Sequence, residues 1–125
     1  MTQGFLTPLN LQDIDGSRWI VLTPLIYKSK EKVLYCVPAG FETDLASIPR
    51  GLWNVLPKTG KWDKGGVLHD WLYRHPGSKS RGEVDDLLRE ACEACGVGAV
   101  ARFLIWSGVR TGGWKPWNKY RDEEK

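Results

Sequence analysis

The stretch Val67-Leu68-His69-Asp70-Trp71-Leu72-Tyr73 decides how the rest of this chain is read. On a helix, residues four apart lie one above the other, so His69 and Tyr73 share a face. Asp70 sits about 100° round the axis, close enough to share a cleft with them. Leu68 and Leu72 repeat at the same spacing and are expected to face the core. A titratable cluster on an otherwise apolar helix needs partners, because burying polar groups unpaired costs free energy. The remaining chain is therefore read as a scaffold that supplies those partners.

Working outward, the helix is expected over 62–74, starting near Asp63 or Gly65, and His75-Pro76-Gly77 stops it. Ser78 or Ser80 begins a longer helix to about Cys95, with Val84, Leu87, Leu88 and Ala91 at helical spacing, and Gly96 ends it. Residues 97–109 form the most apolar helix, with Val97, Val100, Ala101, Leu104 and Trp106 expected to be mostly buried. Upstream, Leu9 and Leu11 suggest an edge strand, and Asp15-Gly16 is a turn. Residues 18–27 read as a strand interrupted by Pro24, and 33–37 as the returning strand. Pro38-Ala39-Gly40 is expected to end the sheet, and Ser47 to cap a short helix across 48–55. The predicted fold class is α+β: a small N-terminal antiparallel sheet of two or three strands, then three to four α-helices. One domain spans 1–125, divided into a β meander (1–40), a motif loop with helices (41–113) and a C-terminal tail (114–125).

Composition excludes several function classes. The chain has 125 residues, enough for one compact core, with 42% apolar and 26% charged residues. A net charge of +3 makes no case for specific nucleic-acid binding. No apolar run approaches the roughly 20 residues of a membrane span. The first residues lack a basic start and a long apolar run, so they do not read as a secretion signal. Three cysteines, Cys36, Cys92 and Cys95, argue against a disulfide framework and fit synthesis in a reducing compartment. Cys92-x-x-Cys95 lacks a second pair or a histidine for zinc and reads as packing. Seven tryptophans are many for this length and point to a Trp-rich core or an interface. In the tail, Trp114, Trp117 and Tyr120 alternate with basic residues, a candidate partner-binding surface.

Three polar sites could converge: Thr43-Asp44 with Ser47, then His69, Asp70 and Tyr73, then Arg81 and Asp85 one turn apart. A histidine held by a carboxylate can act as a general base. A serine beside it could be a nucleophile. Asp44, Asp70 and Asp85 could bind a hard divalent cation. The same residues could equally form a structural network, with Thr43, Ser47 and Arg81 pinning the loop to the helices.

Phe41-x-Thr43-Asp44-x-Ala46-Ser47-Ile48-Pro49, His69-Asp70-x-Leu72-Tyr73, Arg81-x-x-x-Asp85 and the late Val109-Arg110 with Gly-x-Trp114 resemble the domain-of-unknown-function family numbered 1353. The resemblance runs from about Arg18 to Trp114. It implies a home in tailed bacteriophages and prophages, often in the tail or late structural region, and no established activity. Gly66-Val67 stands where an Ala pair is commoner. The His69-Asp70-x-x-Tyr73 helix is also locally similar to the catalytic helix of secreted phospholipases A2. That similarity implies His69 as base, Asp70 as calcium ligand, and Tyr73 with Asp85 as supports. The Gly-rich calcium loop and flanking disulfides of those enzymes are absent here.

Two expectations follow. In the first, the chain is a small virion structural or assembly protein of the tail or connector region. It is made in the host cytoplasm, carried in the particle, and bound to other tail proteins or to copies of itself. In the second, it is a phage-encoded hydrolase acting on envelope peptidoglycan or lipid, with His69 as general base and Asp44, Asp70, Asp85 and Tyr73 as ligands or orienters.

Overall fold

The computed structural model describes residues 4–45, 47–53 and 62–123. Its elements in order are β1 (Gly4–Phe5), β2 (Leu11–Asp13), β3 (Trp19–Val21), β4 (Leu25–Lys28), β5 (Leu34–Val37), β6 (Glu42–Thr43), α1 (Arg50–Trp53), α2 (Asp63–Arg74), α3 (Arg81–Ala94), α4 (Ala99–Gly112) and α5 (Trp114–Glu123). The fold is α+β, with the strands ahead of the helices. The expected loop at 57–60, the end of the helix expected across 48–55, and Ala46 of the motif lie outside the described residues.

The expected single meander is two three-stranded antiparallel sheets, ordered β1-β4-β5 and β2-β3-β6. The strand read across 18–27 divides at Leu22–Pro24, and its halves join different sheets. Proline has no N–H to give to a ladder, so the chain changes sheets where it stands. Sheet pairing does not end at Gly40 either. β6 pairs with β3 in the register Trp19↔Thr43 and Ile20↔Glu42. That pairing delivers Thr43 and the following loop to the helices. In β4 the residues alternate, with Leu25 and Tyr27 buried and Ile26 and Lys28 half-buried, as one covered sheet face requires.

Helix α2 runs through the centre of the molecule, with Gly65 to Asp70, Leu72 and Tyr73 all buried. Its glycines let neighbours approach. A Cβ on Gly65 would stand 3.1 Å from Cys92 Sγ and 3.3 Å from Leu88 Cδ1 on α3. Ser80 caps α3 with a reciprocal capping box: its hydroxyl accepts from Glu83 N at 3.2 Å, and its own N–H donates to Glu83 Oε1 at 2.9 Å. Gly96 ends that segment with φ +83°, as expected of a residue that must turn left-handed.

One hydrophobic cluster joins the sheets to α2 and α3 through Val21, Leu25, Tyr27, Val37, Val67, Leu68, Tyr73, Val84 and Leu87. A second joins α3 to α4 through Leu88, Cys92, Val97, Ile105 and Val109. Val97 is buried as expected, but along α4 itself the burial falls on other residues than those expected. Ile105 and Val109 face inward, while Val100 and Leu104 face outward and Ala101 and Trp106 are half-buried. A helix apolar on nearly every face gives no period from which to choose its buried side, and the α3 contact made the choice.

The C-terminal segment is a helix packed on the domain. Trp117 meets Tyr73 edge-on at 5.1 Å between ring centroids. Arg121 donates to the backbone carbonyls of Tyr73 and Arg74 at 2.6 and 3.0 Å. Those are end-of-helix carbonyls of α2 that lack helical partners, so α5 serves as a cap for α2.

Candidate functional site

His69 is 1% exposed. Its Nδ1 lies 2.9 Å from Ser47 Oγ, and its Nε2 lies 2.7 Å from Asp85 Oδ1. A nitrogen facing a carboxylate oxygen must carry the proton, so Nε2–H donates to Asp85. In the neutral ring Nδ1 then accepts from the Ser47 hydroxyl. Ser47 was expected to cap a helix. Instead it lies in the turn before α1, and its hydroxyl is engaged by the imidazole.

Asp85 is the hub. Oδ1 accepts from His69 Nε2 and from the Tyr73 hydroxyl at 2.6 Å. Oδ2 accepts from Arg110 Nη1 at 2.9 Å and Arg81 Nη1 at 3.4 Å. An ionised carboxylate offers about four lone-pair positions, and four donors take them. Burial pushes the Asp85 carboxyl up. The hydrogen bonds from His69, Tyr73 and Arg110 outweigh burial and hold it below the ordinary carboxylate range. Burial, then the bond to Asp85, pushes the Tyr73 hydroxyl well above its ordinary value, so it stays a donor. Arg81 reaches past Asp85 to the carbonyls of Val109 at 2.9 Å and Arg110 at 3.3 Å. It pairs with Asp85, one turn on, and with the end of α4.

Asp70 belongs to a second centre on the other side of α2. Its Oδ2 accepts from Thr43 Oγ1 at 2.7 Å, and Arg74 Nε stands 3.8 Å away. Its Oδ1 is buried and has no hydrogen-bond partner among the described residues. Burial raises the Asp70 carboxyl, against the opposing pull of Thr43 and Arg74. Thr43 Oγ1 also accepts from Leu45 N at 3.1 Å. Leu45 has φ +56°, a left-handed conformation that costs a non-glycine residue on the order of 1 kcal/mol. The loop holds that conformation between two anchors, Thr43 to Asp70 and Ser47 to His69. Asp44 is half-buried and lines a hollow of about 220 Å³ with Arg18, Glu42, Thr43 and Arg74, beside Asp70 rather than Asp85.

The sequence had brought Asp44, Asp70 and Asp85 to one cation site, and the structure separates them. Among the described residues no group of three or more His, Cys, Asp or Glu side chains is placed to hold a metal ion. Asp85 is saturated by protein donors, and Asp70 faces Thr43. Ser47, His69 and Asp85 do lie in the serine–histidine–carboxylate order of a nucleophilic relay. Ser47 is fully buried, however, and the hub carboxylate is shared among four donors. Of the aromatic residues expected on a partner surface, Trp117 is half-buried under Arg121, and Tyr120 is buried against Arg74. Trp114 alone of the three is exposed.

Arg110 and Gly113 escaped the sequence reading as members of this site. Arg110 appeared only in the late motif, and its tie to Asp85 crosses 25 positions of chain. Gly113 has helical dihedrals, φ −71° and ψ −14°, so its role is spatial. A Cβ there would collide with the Tyr73 hydroxyl and the Val109 carbonyl, and stand 3.1 Å from Arg81 Nη1.

A family model described as protein of unknown function (DUF1353) matches residues 19–109. No curated protein and no solved structure matches the chain. Among the described residues, no helix is long and apolar enough to cross a membrane.

Proposed function

The chain belongs to the DUF1353 family, and from that premise we propose that it is a structural or assembly protein of a phage particle. In this reading the Ser47–His69–Asp85 centre is a lock that holds the β6 loop, α2, α3 and the end of α4 in one arrangement. The observation that carries the lock is the saturation of the site: both ring nitrogens of His69 and all four acceptor positions of Asp85 are taken within the fold. A general base must reach a substrate proton directly or through one water, and a ring that is 1% exposed offers no such approach. The phage setting rests on the motif resemblance. The particle role draws support from the apolar surface left outside, which includes Val100, Phe103 and Trp114.

The test is direct. Antibody to the chain is applied to density-purified particles of the phage or induced prophage that encodes it, and the chain is expected to co-sediment with tails. Its absence from particles in which known tail proteins are detected overturns the virion reading. In parallel, the purified chain is assayed on peptidoglycan zymograms and on lipid vesicles with calcium or magnesium supplied. No release is expected. Release that His69→Ala abolishes while the fold survives replaces the lock with an envelope hydrolase.

A further inference from the structure

Thr43 ties β6 to α2 through one carboxylate, and that carboxylate is under-satisfied. Asp70 is fully buried. Its Oδ2 accepts from Thr43 Oγ1 at 2.7 Å, while its Oδ1 has no donor among the described residues. Arg74, one turn on, does not answer the charge. Its Nε stands 3.8 Å from Oδ2, beyond hydrogen-bond reach, and is itself buried without a partner. That guanidinium is turned to α5, where Nη2 donates to the Tyr120 hydroxyl at 3.1 Å and the group stacks on the Tyr120 ring at 4.2 Å. The other groups around Asp70 give little help. The segment after β6 brings Asp44, a like charge that disfavours ionisation. From α2 itself only His69 and Arg74 favour it. From α5 comes Tyr120, whose hydroxyl burial pushes up to about 12, so it faces Asp70 uncharged. Arg18 and Glu42, in the neighbouring hollow, pair with each other at 3.4 Å.

We propose that Thr43 on Asp70 is a proton-operated latch, which holds β6 and Leu45 against α2 while Asp70 is neutral and releases them when Asp70 ionises. In the neutral state the hydroxyl–carboxyl hydrogen bond remains and no unmatched charge lies inside. In the ionised state a charge with one bare oxygen faces Asp44, which the moving segment itself carries. Release relieves both, because water reaches Oδ1 and Asp44 withdraws. Leu45 adds a push. Its N–H donates to Thr43 Oγ1 at 3.1 Å, and its φ of +56° is a conformation that a non-glycine residue leaves once it is free. The Thr43 bond itself favours the ionised form, and burial outweighs it. Opening is therefore favoured as pH rises through the raised value of Asp70.

The far end of the segment does not respond to the same proton. Ser47 is engaged by His69, and His69 by Asp85. Asp85 has four donors and titrates below its ordinary value, so it stays ionised while Asp70 titrates above it. The latch opens at one end only, at Thr43 and Asp44, over the hollow that these two line with Arg18, Glu42 and Arg74.

Amide hydrogen exchange of the full chain, followed residue by residue by NMR from pH 4 to pH 8 and corrected for intrinsic exchange chemistry, reads the latch directly. The Leu45 amide is the reporter, because it is bonded to Thr43 Oγ1. Its protection relative to that of Leu88, in the middle of α3, is expected to fall severalfold as pH rises. Global unfolding moves both amides alike and cancels in the ratio. Asp70→Asn keeps an acceptor for Thr43 without the charge and should flatten the profile. Asp44→Asn removes the like charge from the segment and should make the fall shallower, which decides the matter if Asp70→Asn does not fold. A ratio that is constant or rises with pH overturns the latch, as does a fall that survives unchanged in either folded variant. The measurement reads the segment alone, so its failure leaves the virion reading standing.

Discussion

The centre around Asp85 and the outer face of α4 invert the usual order of a small protein. The first is polar and sealed: Ser47, His69, Tyr73 and Asp85 are all buried. The second is apolar and open. Burying a carboxylate costs several kcal/mol unless it is fully paired, and Asp85 has four donors. Leaving a valine, a phenylalanine and a tryptophan in water forgoes about 1.5–3 kcal/mol of burial for each of the largest side chains. The fold bears a cost at both places. Inside, the return is one defined arrangement of loop and helices.

The comparison breaks most severely at Asp85. Asp85→Ala leaves two arginines, a tyrosine and an imidazole without their acceptor, and removing one partner of a buried pair costs about 3–5 kcal/mol. Chemical denaturation should show that loss, with unchanged stability marking the centre as dispensable. Next is Gly113→Ala, which drives a methyl into the Tyr73 hydroxyl and the Val109 carbonyl. Overpacking of this kind costs about 1–3 kcal/mol, read as a lower Tm.

The two carboxylates should respond oppositely to pH. Asp85 titrates lower in the fold than in the open chain. Its stabilisation is full above the open-chain value of about 3.9 and is lost as pH falls through the lower folded value. Asp70 titrates higher in the fold, so its protonated form is favoured there. Its contribution is full below the open-chain value and is lost as pH rises through the raised one. Asp70→Asn keeps the shape without the charge. Its Tm relative to the native chain should therefore rise between pH 4 and pH 8, and a difference that stays flat or falls sinks the assignment. The smallest effect is expected on the outer face. Phe103→Glu, at a side chain 60% exposed, should change the unfolding free energy by no more than about 0.5 kcal/mol in chemical denaturation.

Much of the local structure was legible. Ser80 at the start of α3 and Gly96 after it each carry their signal within a few residues. The spacing of His69 and Tyr73 on one helix face was readable in the same way. The division of the strands between two sheets was not, because Pro24 marks an interruption without saying where the chain goes next. The buried side of α4 was misread because Val100, Leu104 and Ile105 are equivalent to any measure of hydropathy. The expected gathering of three aspartates failed because the two faces of α2 lead to different neighbours, Thr43 for Asp70 and Asp85 for His69.

By itself the sequence determined where α2 and α3 run, which residue types could do chemistry, and which family pattern they form. These depend on neighbours a few positions away, where helical spacing and capping act. Only the tertiary structure decided that Arg110 and Gly113 complete the His69 site, that Asp70 turns away from it, and that α4 hides Ile105 while showing Phe103. Each of those is a contact between stretches far apart in the chain. It is set by how the packed elements fill space, and no local pattern carries that information.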